Sequence, residues 1–226
     1  MLINKKALLT AGLLSIFQLS CTAANNDIPA SINNDAFQGF VFTPKETALS
    51  GYMFKTNEME KVEFTSCQQA LDYKISNIAE YNYFRFKLLV VACKAVNKYK
   101  TAHGSTQSSF PVKLDDKFYS KLPALTTPYL SKTEYKQRKN KTIKQTYKNL
   151  KVTSKNNTAT IITNDDEIYI TVLARGDFNN DKIEDLLISS EWYAKHANGK
   201  HTELVVLSKT GKDKAIQIDW RMNTLK

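Results

Sequence analysis

The 226-residue sequence is poor in the residues that usually mark linkers and catalytic centres: 7 Gly, 5 Pro, 3 Cys and 3 His. Because glycine and proline are scarce, the sequence has few segments with the composition of a linker, and we expect one compact domain rather than two. The sequence contains no C-x-x-C pair, which argues against a thiol oxidoreductase. It also contains no G-x-S-x-G or H-E-x-x-H motif, so no familiar hydrolase signature is present.

A long hydrophobic run is also missing. The apolar stretch from Ala7 to Phe17 is shorter than the ~20 residues that cross a bilayer, and Lys5-Lys6 precede it. A basic start, a short apolar run and small residues are typical of a secretory signal, so residues 1–24 are predicted to be a signal peptide and no transmembrane span is expected. Two processing routes stay open. Thr22-Ala23-Ala24 offers a cleavage site, whereas Leu19-Ser20-Cys21 resembles a lipoprotein box, in which Cys21 carries lipid.

The expected location is therefore periplasmic or secreted, with an outer-membrane lipoprotein as the alternative. After the signal peptide, residues 25–36 are polar and Asn-rich and predict a flexible lead. The mature chain keeps Cys67 and Cys93, which in an oxidising compartment predict one disulfide. Two buried free thiols are the alternative.

We expect residues 37–226 to form a single α+β domain. Apolar residues recur at steps of three and four between Tyr81 and Tyr99, which predicts an amphipathic helix carrying Cys93. A shorter helix from Gln68 to Ile75 would pack beside it, stapled by the disulfide. The predicted helical part covers about residues 66–148.

From about residue 149 to 222 the period becomes two, with turn residues between apolar runs. This pattern predicts an antiparallel β-meander, and we expect the preceding helices to cover one face of it.

The most informative motif lies within the meander, from Gly176 to Leu187. Asp177, Asn179, Asp181 and Asp185 occupy positions 1, 3, 5 and 9 of a loop, and the carbonyl of Ile183 stands at position 7. Calcium prefers six to eight oxygen ligands, and alternate residues of a tight loop can supply them. The spacing predicts a structural calcium site. An Asx-rich turn without metal is the alternative.

This stretch resembles the calcium loop of FG-GAP and VCBS-type repeats, which occur in integrin-like β-propeller blades. The resemblance covers about a dozen residues, and it implies oxygen ligands at the same four positions. The family usually has glycine where this chain has Asn180 and Lys182. A single loop does not supply the four or more blades of a propeller.

A basic run lies between Lys132 and Lys155, with Glu134 as its one acid, and the whole chain has a net charge of +10. A solvated helix face is the simplest interpretation. The functional alternative is a binding surface for an anionic envelope component, lipid or lipopolysaccharide; nucleic acid is a weaker candidate because export separates the protein from it. The predicted anionic-surface residues are Lys136, Arg138, Lys139, Lys141, Lys144, Lys148 and Lys151.

One further set of residues is a candidate for catalysis. If Asn198-Gly199 forms a two-residue turn, His196 and His201 face each other across a hairpin, with Glu191 or Glu203 nearby. That would suit an envelope hydrolase. The sequence instead favours a non-catalytic exported envelope protein with a structural calcium loop, and it names no partner.

Overall fold

The computed structural model describes residues 28–42 and 47–222, and its centre is a seven-stranded antiparallel sheet. The strands are β1 Ser31–Ile32, β2 Phe40–Phe42, β3 Thr47–Lys55, β4 Lys61–Ser66, β5 Lys151–Lys155, β6 Thr158–Ile162, β7 Asp166–Gly176, β8 Asp185–Ala194, β9 Lys200–Ser208 and β10 Gln217–Arg221. The α-helices are α1 Cys67–Asp72, α2 Glu80–Lys100, α3 Asp116–Ser120, α4 Lys132–Arg138 and α5 Ile143–Thr146. Single turns of 3₁₀ helix occur at Asn34–Ala36, Ile75–Asn77 and Ala124–Thr126.

Six strands of the large sheet follow one another as a meander, in the order β10-β9-β8-β7-β6-β5. Strand β7 is long enough to pair with two strands along one edge: β6 pairs with its first half and β1 with its end, where Ile32 lies opposite Ala174. The sheet therefore includes both the C-terminal meander and a short strand from near the start of the described chain.

Both faces of this sheet are buried. On one face, α3 and α5 cover a core that includes Ile168, Ile170 and Val205. On the other face, α2 packs against Leu204 and Val206 with its own apolar side chains. This explains the uninterrupted apolar run of β9, since a strand covered on both sides does not alternate between apolar and polar residues.

A second, three-stranded sheet has the order β2-β3-β4 and packs against α1 and α2. Its core is aromatic: Phe54, Phe64 and Phe86 lie with ring centroids 5.1–5.8 Å apart. The predicted disulfide between Cys67 and Cys93 is confirmed, with Cα atoms 5.2 Å apart. It joins the start of α1, which follows β4 directly, to the middle of α2.

The predicted fold class is wrong. The described residues are mostly β, with 39% in strands and 27% in helices, and they do not form a helical N-terminal part packed on a meander. The physical reason lies in residues 40–42 and 47–66, where Val62 and Phe64 alternate with exposed residues and pair with β3. These residues build a sheet of their own, and helices cover both faces of the large sheet rather than one.

The segment predicted as a flexible lead is described from Ile28 onward, and this part lies against the sheet. The amide of Ile28 donates to the carbonyl of Ser105 over 2.6 Å, and that of Asn33 donates to Leu173 over 2.8 Å. Residues 28–36 are thus held by backbone hydrogen bonds. The predicted signal peptide and Cys21 lie outside the described residues. Within the described ranges, no helix is long and apolar enough to cross a membrane.

Candidate metal centre

The predicted calcium loop connects β7 to β8 at one end of the large sheet. Residues Asn180 and Lys182 have φ angles of 67° and 66°. These are left-handed conformations, which favour glycine and which Asn tolerates better than Lys. They fall at the two positions where, according to the resemblance, glycine is usual.

The carboxylate of Asp177 organises the loop. Its Oδ1 accepts hydrogen bonds from the amides of Asn179, Asn180 and Asp181 at 3.2, 2.7 and 3.3 Å, and its Oδ2 accepts one from Lys182 at 2.9 Å. The side chain is 2% exposed. A buried carboxylate that accepts several amides is a stable Asx-type turn, which is the arrangement that the metal-free alternative predicts.

Asp185 differs from Asp177 because half of its carboxylate is unused. Its Oδ2 accepts the amide of Phe178 at 3.0 Å, whereas its Oδ1 is buried and has no hydrogen-bond partner. Burial, with the negative charges of Asp181, Asp219 and Asp177, raises the pKa of Asp185 to about 7. A fully buried carboxylate oxygen without a donor is costly, and a cation would remove that cost.

The other predicted ligands lie at the surface. Asp181 is exposed, and its Oδ1 accepts the amide of Ile183 at 2.8 Å while its Oδ2 accepts the side-chain amide of Asn179 at 3.3 Å. In the described part of the chain, no three His, Cys, Asp or Glu side chains form a ready ligand set by themselves. The predicted set depends also on an Asn side chain and a main-chain carbonyl. A carboxylate oxygen that accepts a single amide, such as Oδ2 of Asp177 or Oδ1 of Asp181, still has a lone pair for a cation.

The loop also contacts the chain where it passes from one face of the sheet to the other. The segment after α2 runs beside the loop, and the amide of each of His103 and Asp177 donates to the other's carbonyl at 2.9 Å. Farther along, the amide of Thr106 donates to the carbonyl of Lys182 at 2.9 Å, and that of Glu184 to Gln107 at 2.9 Å. The loop therefore fixes the crossover segment, residues 101–110, to the end of the sheet.

Two residues at this junction were not predicted from the sequence. Glu184 is 5% exposed, and its Oε1 lies 3.0 Å from Nη1 of Arg175 and accepts the hydroxyl of Ser108 at 2.7 Å. Gly176 is needed for close approach, since a Cβ there would lie 2.9 Å from Cβ of Ala30. The glycine at the end of an apolar strand was the available signal for such an approach.

The histidine pair does not form. Ala194 bonds to Gly199, so the hairpin has a longer loop than predicted, and His201 lies opposite Trp192. The Lys195 amide donates to the carbonyl of Asp165 at 2.8 Å, which holds the wider loop to the neighbouring turn.

The two histidines consequently have different surroundings. His196 is exposed in the loop, whereas His201 is buried, with its Nε2 3.4 Å from Oε1 of Glu203. The structure brings His201 to Glu203, but it does not place His196 opposite His201 as the hydrolase hypothesis requires.

The basic run is divided over α4, α5, β5 and the turns between them. Arg138 is buried rather than exposed: its Nη1 donates to the Thr127 hydroxyl at 3.1 Å and to the Pro128 carbonyl at 2.6 Å. Its guanidinium is therefore used inside the protein. The six lysines of the predicted surface, Lys136, Lys139, Lys141, Lys144, Lys148 and Lys151, are exposed.

Comparison with known proteins gives no information about the function. No family model matches the chain, and no curated protein and no solved structure matches it.

Proposed function

We propose that this is a non-catalytic exported protein in which a calcium ion, bound by the Asp177–Asp185 loop, stabilises the junction between the sheet and the crossover segment. The observation that carries the proposal is the buried, unpartnered Oδ1 of Asp185 inside a loop with ligand spacing. The ligands would be Asp177, Asn179, Asp181 and Asp185 with the carbonyl of Ile183. The ion would supply positive charge to carboxylates that otherwise repel one another.

The left-handed backbone at Asn180 and Lys182 supports the same proposal, because it gives the loop the course of an FG-GAP-like site. The cation of Lys182 acts against it electrostatically, so we expect weaker affinity than in loops with glycine there. The disulfide between two buried cysteines indicates an oxidising compartment. The finer location that we propose is the periplasm or the medium, and mass spectrometry of the mature N-terminus would distinguish cleavage near Ala24 from lipid on Cys21.

Thermal unfolding in a calcium series tests the metal. Each tenfold rise in free calcium above the dissociation constant should add ~1.4 kcal/mol of stability. For a domain of this size that corresponds to roughly 3–6 °C in Tm. The increase should be reversed by a chelator and should be smaller with magnesium, which demands a stricter octahedral site.

The matched variants are Asp181→Ala, which removes an exposed ligand, and Asp165→Ala, which removes an exposed aspartate from the turn before β7. We expect Asp181→Ala to abolish the calcium response and Asp165→Ala to retain it. A melting temperature that stays constant from chelator to millimolar calcium would show that the loop is an Asx-rich turn without metal.

A further inference from the structure

A wide cleft lies on the α3–α5 side of the large sheet, away from the calcium loop. Its volume is about 1350 Å³, above the usual range of roughly 300–1,000 Å³ for small-molecule pockets. One wall comes from α3 and the chain after it, with Lys117 and Lys121. A second comes from the region of α4 and α5, with Lys139 and Lys144.

The third wall comes from the β9–β10 connection, about seventy residues away in sequence, and it adds Lys209, Lys212 and Lys214. The Nζ of Lys209 donates to the carbonyl of Ser109 at 3.3 Å. Only two acids line the cleft. The carboxylate of Asp115 is already engaged as the cap of α3, where it accepts the amide of Phe118 at 2.7 Å, and Asp213 stands between lysines.

The lysines are not neutralised within the protein. In the described part of the chain, the basic side chains paired with a carboxylate are Arg138, Arg175, Arg221 and the imidazole of His201, and no lysine is among them. Seven ammonium groups around one concavity create a positive potential that attracts anions.

Part of the cleft lining is apolar. Phe118, Ile216 and Ile218 belong to the core under α3, and Leu125 is half-buried beside them. Just outside, Val112 follows the cleft residue Pro111 and is 97% exposed. Apolar side chains framed by lysines fit a ligand that has negative headgroups and an apolar body.

We propose that this cleft is the docking surface for anionic phospholipid presented by a membrane. Nucleic acid fits less well, because Tyr135 is the one exposed aromatic ring in the lining and single strands bind through several stacked bases. The site differs from the basic run of the sequence. It leaves out Lys136, Lys141, Lys148 and Lys151 and draws most of its lysines from elsewhere in the chain. It does not depend on calcium.

Co-sedimentation with vesicles tests the proposal on the full chain, comparing neutral vesicles with vesicles in which about a third of the lipid is phosphatidylglycerol. The wild-type protein should bind the anionic vesicles, and this binding should weaken as the salt concentration rises. Replacing Lys121, Lys144 and Lys212 together by Gln should weaken binding by about fivefold per lysine, on the order of 100-fold in all.

A matched variant replaces three exposed lysines of β4 and α2, Lys61, Lys94 and Lys100, by Gln. This variant has the same change in charge on the other side of the sheet, and its affinity for anionic vesicles should fall only a few-fold. Val112→Ser should also weaken vesicle binding without lowering the melting temperature, since the side chain is almost fully exposed.

Three results would overturn the proposal. Equal losses in the two lysine variants would show attraction by total charge alone. Displacement from vesicles by millimolar glycerol phosphate, with Val112→Ser unaffected, would show a site for phosphate rather than for lipid. Cleft-dependent binding of a single-stranded oligonucleotide without vesicle binding would assign the cleft to nucleic acid.

Discussion

Reducing the disulfide should destabilise the small sheet selectively. The bond connects residues 26 positions apart, so the chain-entropy relation gives about 3.5 kcal/mol of stabilisation through the unfolded state. For a domain of this length, that loss corresponds to roughly 7–14 °C in Tm. Cys67 is 5% exposed and Cys93 is fully buried, so the free thiols should stay packed as small apolar groups and add little further cost.

The structure also predicts where the loss should appear. The disulfide ties α1, and through it β4, to the middle of α2, and α1 has only six residues. Such a short helix does not persist alone. Hydrogen exchange should therefore accelerate on reduction in residues 47–78, while β7 to β9 keep their protection.

Urea unfolding of the oxidised and the reduced protein, followed by circular dichroism, measures the total loss of stability on reduction. The Cys67→Ala/Cys93→Ala variant is the control, since reductant should not change its unfolding even if Cys21 is present. A difference below about 0.5 kcal/mol between oxidised and reduced protein would refute the entropic reasoning. Equal acceleration of exchange in every strand would refute the assignment to the small sheet.

Two further predictions concern single side chains, both checked by urea unfolding. Arg138→Met should lower the free energy of unfolding by about 1–3 kcal/mol, because the Pro128 carbonyl loses its buried donor. Lys139→Met, at the next and exposed position, should change it by no more than ~0.5 kcal/mol. Equal losses of stability in the two variants would show that the buried hydrogen bonds are unimportant. Gly176→Ala should cost about 1–3 kcal/mol through overpacking, since its Cβ would lie 2.9 Å from Cβ of Ala30. Gly211→Ala, which would meet only Cγ of Lys214 at 3.3 Å, should cost less, and the reverse order would contradict the close approach.

The sequence pattern predicted helices and strands correctly where the apolar residues keep a single spacing along the whole element. The steps of three and four from Tyr81 to Tyr99 correspond to α2, and the alternation in Ile168–Val172 and Leu186–Trp192 corresponds to β7 and β8. The helical part predicted for about residues 66–148 was wrong as a fold class because, apart from α2, the α-helices there have only four to seven residues. The apolar run of β9 was a usable sign that the sheet is covered on both faces.

Site predictions depended on how local the contacts are. The loop from Asp177 to Asp185 is a local structure, so its spacing could be read from nine residues. The histidine hairpin failed because its register depends on the bond from Lys195 to Asp165, thirty residues earlier. The lysines of the cleft come from three separate segments, and only the packing of the β9–β10 connection beside Ser109 brings them together.

The crossover segment connects the two parts of the chain that cover opposite faces of the large sheet. Among the described residues, the helix that covers one face of the large sheet is α2, which precedes this segment, and the helices that cover the other face, α3 and α5, follow it. The two covers can therefore respond to mutation separately, with the sheet as their common partner. Their backbone connection passes beside Asp177 and Lys182, so a change in that loop is positioned to affect both sides at once.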